Sequence, residues 1–121
     1  MSIIAKILVA LIALEHVYFL VLEMFLWEQP RTRKAFGMSV EQAGHTKVLA
    51  GNQGLYNGFL VAGLVWSLLA PAAYAKELAI FFLTCVLVAG VYGGFTANKR
   101  IWLLQALPAA LGLAAVLLIG F

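Results

Sequence analysis

Four apolar stretches, approximately residues 3–27, 48–70, 78–96 and 101–121, each run close to the roughly 20 residues a helix needs to cross a hydrocarbon core. A membrane-spanning β-strand is about half that length and alternates polar with apolar residues, which these runs do not do. Backbone groups in lipid must be satisfied within the segment, so the stretches are read as helices. Composition excludes the competing classes: the 121-residue chain is 64% hydrophobic and 11% charged, where a soluble domain is about half apolar and a quarter charged. Disorder needs the opposite bias, and the single Cys85 has no disulfide partner in the chain. The expectation is an all-α fold, an integral membrane four-helix bundle forming one domain over residues 1–121, with helices at about 3–27, 40–70, 77–97 and 101–121.

The first stretch begins like a signal peptide, with Lys6 before an apolar run. It continues past Phe25, carries Glu15, His16 and Glu23, and lacks a small-x-small cleavage site before Trp27, so it is read as a retained helix. Ser39-Val40-Glu41-Gln42 has capping-box spacing and starts the second helix near Val40. Pro71 stops that helix, and Asn98-Lys99-Arg100 makes a tight turn. Arg31, Arg33, Lys34 and Lys47 occupy the first connection and Lys99 and Arg100 the third, against Lys6 and Lys76 on the opposite side. Basic residues favour the cytoplasmic face, which predicts a cytoplasmic-membrane protein with both termini outside. The net charge of +3 is therefore read as orientation and contact with membrane lipids, with no nucleic-acid partner.

Polar residues in hydrocarbon are costly enough for their positions to carry information. Glu15 and His16 lie near the expected midplane of the first helix, and Glu23 sits about 10 Å nearer the cytoplasm. The second helix carries Asn52, Gln53, Tyr56 and Asn57 in its first membrane turns, the third ends with Tyr92 and Thr96, and the fourth begins with Gln105. These ten residues are the ligand-binding candidates; most fall in the cytoplasmic half, which predicts a polar cavity open to that side and sealed by aliphatic residues on the other. Pro108 removes the helical donor of the Leu104 carbonyl beside this cluster. The plainer reading of the amides and Tyr is interhelical hydrogen bonding.

Ala50, Gly54, Gly58 and Ala62, and likewise Ala89, Gly93 and Ala97, recur every four residues. They are read as packing seams that hold the second and third helices close together. Trp27 and Trp102 are placed at cytoplasmic boundaries and Trp66 at the outer one. No phosphate loop, CxxC or HExxH is present; the expectation is no cofactor and no metal, because His16, Glu23 and His45 lack ligand spacing.

The strings Glu23-Met24-Phe25-Leu26-Trp27, Lys34-Ala35-Phe36-Gly37, Asn52-Gln53-Gly54-Leu55-Tyr56-Asn57-Gly58, Ala89-Gly90-Val91-Tyr92-Gly93 and Gln105-Ala106-Leu107-Pro108-Ala109 span nearly the whole chain. In these the chain resembles a family of small bacterial and fungal integral membrane proteins catalogued as domain of unknown function thirteen-oh-four. It departs from that pattern at Ala106, where the family has Gly. The resemblance implies a four-helix membrane protein with these polar strings as its signature, and it supplies no activity.

Two functions fit the residues. The first is binding or transport of a small amphipathic or hydrophobic molecule, with Glu23 and His16 as the ionisable pair. Small multidrug transporters offer an analogy of size, in which one glutamate such as Glu15 serves a homodimer. The alternative is an intramembrane, isomerase-like enzyme that moves protons on a lipid-like substrate through Glu23 and His16. No catalytic residue is assigned, and a structural subunit pinned together by its polar cluster is the third reading.

Overall fold

The computed structural model describes residues 3–121; residues 1 and 2, counted in the expected domain, lie outside them. Among the described residues there are α-helices, one π-helical segment and no strand. The helices are α1 (Ile3–Met24), α2 (Pro30–Phe36), α3 (Val40–Leu69), α4 (Ala75–Thr96) and α5 (Leu107–Leu118), with the π-helical segment Trp102–Ala106 leading into α5. α1 and α4 are long and apolar enough to cross a membrane, and Trp102–Leu118 forms a shorter apolar helical run.

Local chemistry accounts for the boundaries. α1 stops at Met24, earlier than expected: the Leu26 amide is shared between the Val21 and Leu22 carbonyls, and Gln29, ahead of Pro30, is extended (φ −66°, ψ 145°), so no helix continues through it. The same proline sits in the first turn of α2, where its missing N–H costs nothing. α2 closes on Gly37, whose left-handed φ of 67° lets the Gly37 and Met38 amides donate to Lys34 and Arg33. This short helix is absent from the sequence expectation, although a proline opening and a glycine closing a seven-residue segment are its signal.

The capping box behaves as its spacing predicts. The Ser39 amide donates to Gln42 Oε1 at 2.9 Å and the Gln42 amide donates to Ser39 Oγ at 3.1 Å, so α3 starts at Val40. α3 ends at Leu69, before Pro71, and the Asn98 side chain accepts from the Arg100 amide in the turn after α4. α4 begins at Ala75, two residues ahead of the expected position, once the Tyr74 and Ala75 amides have donated to Pro71 O. In the last helical run the donor missing at Pro108 coincides with a slip of register, in which the Leu107 amide donates to Trp102 O, five residues back.

The chain divides into two compact units, the first comprising the chain through Leu14 with Leu60–Phe121. Its core is Val9 and Ile12 of α1, Leu64 of α3, Leu83 and Val86 of α4, and Ala109 and Val116 of α5, with small alanines between them. α4 approaches the last helical run through Gly90 and Gly94: a Cβ on Gly90 would lie 2.5 Å from Ala106 N, and one on Gly94 would fall inside the Trp102 indole. The expected seam of Ala89, Gly93 and Ala97 is therefore displaced. Ala89 and Ala97 are exposed, and the adjacent row of Gly90 and Gly94 is buried. Its principal partner is the segment after α4, although Gly63 of α3 does face the Phe82 ring of α4.

The second unit is Glu15–Phe59. It pairs the end of α1 with the first half of α3, with α2 between them in sequence. Its buried positions on α3 are Ala43, Ala50, Gly54 and Asn57, and the other buried positions are His16 and Leu22 of α1 and Thr32 of α2. Gly54 permits this pairing, since a Cβ there would lie 2.5 Å from Met24 Cγ and 3.2 Å from the Leu20 carbonyl. Gly58 meets Leu20 in the same way. Gly54 and Gly58 thus form a seam towards α1, Ala50 of the same row is buried, and Ala62, expected to continue it, is exposed. The seam expected to join the second and third membrane helices joins α1 to α3 instead, because a smooth ridge carries no record of which helix fills it.

Candidate functional site

In the second unit, a polar group on α1 meets one on α3. Asn57 is 5% exposed and its Nδ2 donates to Glu23 Oε1 at 2.5 Å. The close approach of α3 at Gly54 brings these side chains together, because Gly54 also stands against Glu23 Cβ at 3.2 Å. A helix with side chains at position 54 would hold Asn57 farther from α1.

About two turns earlier on α1, His16 is fully buried and packs edge-on against Phe19 at 5.3 Å between centroids. Glu15 Oε1 lies 4.0 Å from His16 Nδ1. That oxygen is enclosed and accepts no hydrogen bond from any described residue. An enclosed carboxyl oxygen without a partner is a group that a bound water, ion or ligand donor commonly satisfies. α1 therefore presents a carboxyl and an imidazole side by side, then a second carboxyl held by an amide, all on apolar helix.

The remaining candidates do not join this group. Asn52 is exposed and its Nδ2 donates to Val48 O in its own helix at 2.9 Å. Gln53 is exposed, and Tyr56 lies on the outer side of α3 against Phe59. At 100° per residue, Asn52 and Tyr56 point well over 90° from the Ala50–Gly54–Asn57 stripe, and Gln53 sits at its edge. Tyr92, Thr96 and Gln105 belong to the first unit. Thr96 Oγ1 donates to Tyr92 O at 2.8 Å, both residues are exposed, and Gln105 is half-buried in the π-helical segment. Tyr92 also borders a shallow apolar depression on α4, with Phe81, Thr84, Cys85, Val88 and Ala89. Among the described residues, no three His, Cys, Asp or Glu side chains are grouped to hold a metal ion.

One polar assembly escaped the sequence reading. Trp27 Nε1 donates to Thr46 Oγ1 at 3.0 Å, and Thr46 Oγ1 donates to Gln42 O. Beside it Lys47 Nζ lies 3.1 Å from Glu28 Oε1. The turn after α1 is thereby tied to the first turns of α3. Trp27 is more than the boundary residue the sequence suggested, and nothing in the spacing of positions 27 and 46 announces the pair.

The sequence model of a family described as Protein of unknown function (DUF1304) matches residues 10–117, a span that contains all ten candidates. The chain is 36% identical over 122 residues to the uncharacterized protein YpaA of Lactococcus lactis subsp. lactis (strain IL1403), covering 99% of this chain and 98% of that one. No solved structure matches it.

Proposed function

Since the chain belongs to the DUF1304 family, a family of unknown function, we propose from its own residues that it is an integral membrane protein whose intramembrane polar group binds or transports a small amphipathic or hydrophobic molecule. In this reading α1, α3, α4 and the run from Trp102 through α5 cross a bacterial cytoplasmic membrane as a four-helix bundle, with both termini outside. α1 and α4 have 22 residues each, about 33 Å of helix against a core of about 30 Å. α3, with 30 residues, is long enough to cross and to project beyond the core. Lys6 Nζ lies 5.5 Å from the centroid of the Phe121 ring, which brings the start of α1 and the end of the chain to one side. The six Lys and Arg of the first and third connections oppose Lys6 and Lys76, as the positive-inside bias requires of that orientation.

The observation that carries the ligand is the enclosed Glu15 Oε1 beside His16, which accepts no hydrogen bond among the described residues, in line with the Glu23–Asn57 pair. Amides that serve only to hold helices satisfy one another, and an enclosed carboxyl oxygen without a donor does not fit that role. The same juxtaposition of carboxyl and imidazole supports the acid/base alternative on a lipid-like substrate.

Native mass spectrometry of the gently extracted protein tests this. The wild type is expected to retain a small lipid-like mass that Glu15→Leu loses while keeping its helical content. Identical spectra for both would reduce the polar group to helix-holding glue. A retained mass that changes chemically during incubation with the wild type, and not with Glu15→Gln, would favour the enzyme.

A further inference from the structure

We propose that α2 is an interfacial anchor for the headgroups of anionic phospholipids, lying on the membrane surface where α1 emerges. It rests on the membrane reading above and uses none of the ten candidate residues. Thr32 is the buried residue of α2 and marks its inward side. At 100° per residue, Arg31 and Arg33 lie about 100° from Thr32 and Lys34 about 160°, so the cations occupy the outward arc.

Arg33 Nε donates to the Glu28 carbonyl. The Arg31 and Lys34 side chains are exposed and make no hydrogen bond or ion pair among the described residues. The neighbouring Glu28 is engaged by Lys47, which leaves the positive charge of the outward arc uncompensated. Next to it are exposed apolar side chains, Phe25 at 69%, Phe36 at 45% and Leu26 at 39%. Cations flanked by large apolar residues fit a lipid surface, where phosphates accept from Arg and Lys and the rings enter the acyl boundary.

α2 is also held in a fixed orientation. Seven residues form no stable helix alone in water. Here Pro30 opens the segment, Gly37 closes it, and the Phe36 ring rests 4.9 Å from that of Trp27, which Thr46 holds. The apolar side chains are continuous with the end of α1, so the occupant of the basic arc is the leaflet that α1 has just left, and not a soluble acidic partner.

Hydrogen exchange of the full chain provides the test, with nanodiscs of phosphatidylcholine alone compared with nanodiscs in which about a third is phosphatidylglycerol. Each free cation is worth about fivefold at an anionic surface, so exchange across α2 is expected to slow about thirtyfold with phosphatidylglycerol. High salt should remove most of the difference by shortening the screening length. The Arg31→Gln/Lys34→Gln variant should lose the lipid dependence while exchange in α4 stays as in the wild type. Equal α2 exchange in both bilayers, or a lipid dependence that survives in the double variant, overturns the proposal and leaves the membrane reading intact. A chain that does not enter the nanodiscs overturns both.

Discussion

The Glu23–Asn57 contact gives the sharpest quantitative expectation. Asn57→Leu keeps the size of the side chain and removes the donor, and Glu23→Met removes the acceptor while retaining most of the stem that packs at Gly54. A hydrogen bond to a carboxylate contributes about 1.5–3 kcal/mol in soluble proteins. Interhelical polar pairs in membranes average about 0.6 and reach about 1.7 kcal/mol, because the unfolded helices find other partners in the bilayer. The short 2.5 Å contact and the burial of Asn57 favour the upper part of that range, whereas the half-exposed Glu23 lowers it. The expected coupling is about 1 kcal/mol, roughly a fivefold change in the folding equilibrium. Each single variant should lose more than this, about 1–2 kcal/mol, because it leaves an inward polar group unpaired. The double variant should then lose about 1 kcal/mol less than the sum of the two single effects, since replacing both partners with apolar groups removes the orphan. Unfolding of the four proteins in mixed micelles by increasing dodecyl sulfate, followed by circular dichroism, measures the cycle. Single-variant effects that add within about 0.3 kcal/mol would show that the two side chains do not interact, and the assembly of the site around Gly54 would be wrong.

Two glycines should respond in opposite directions to the same methyl group. Gly90→Ala places a Cβ against the backbone of Ala106 and is expected to destabilise by about 1–2 kcal/mol, the overpacking cost exceeding the helix propensity gained, whereas Gly51→Ala meets nothing within 4 Å and should stabilise by up to about 1 kcal/mol; the same micelle titration reads both. Ser39→Ala breaks one half of the capping box and should cost about 1 kcal/mol, with faster hydrogen exchange confined to the first turn of α3.

Where the determinants are local, the sequence foretells the structure closely. The start of α3 follows from Ser39 and Gln42, its end from Pro71, and the turn after α4 from Asn98, because each is a short-range hydrogen bond or a missing donor within a few residues. The missed α2 was equally local, signalled by Pro30 and Gly37 and hidden by a basic, loop-like composition. The site was legible in its members and less so in its grouping. His16 and Glu23, seven residues apart and so nearly on one helix face, are the pair the sequence placed in one stripe. Of the four candidates on α3, Asn57 alone is buried, and Asn52, Gln53 and Tyr56 are exposed.

By itself, then, the sequence determined the long helices, most of their ends, the family and the polar residues that need a reason to be there. Tertiary structure decided which side of each helix is used. In an all-apolar helix the inward and outward faces have nearly the same composition, so the hydrophobic pattern that orients a helix in a soluble protein is missing. The choice passes to shape: Gly54 against Leu20 and Met24 brings Asn57 to Glu23, and Gly90 and Gly94, rather than the neighbouring row of Ala89 and Ala97, accept Ala106 and Trp102.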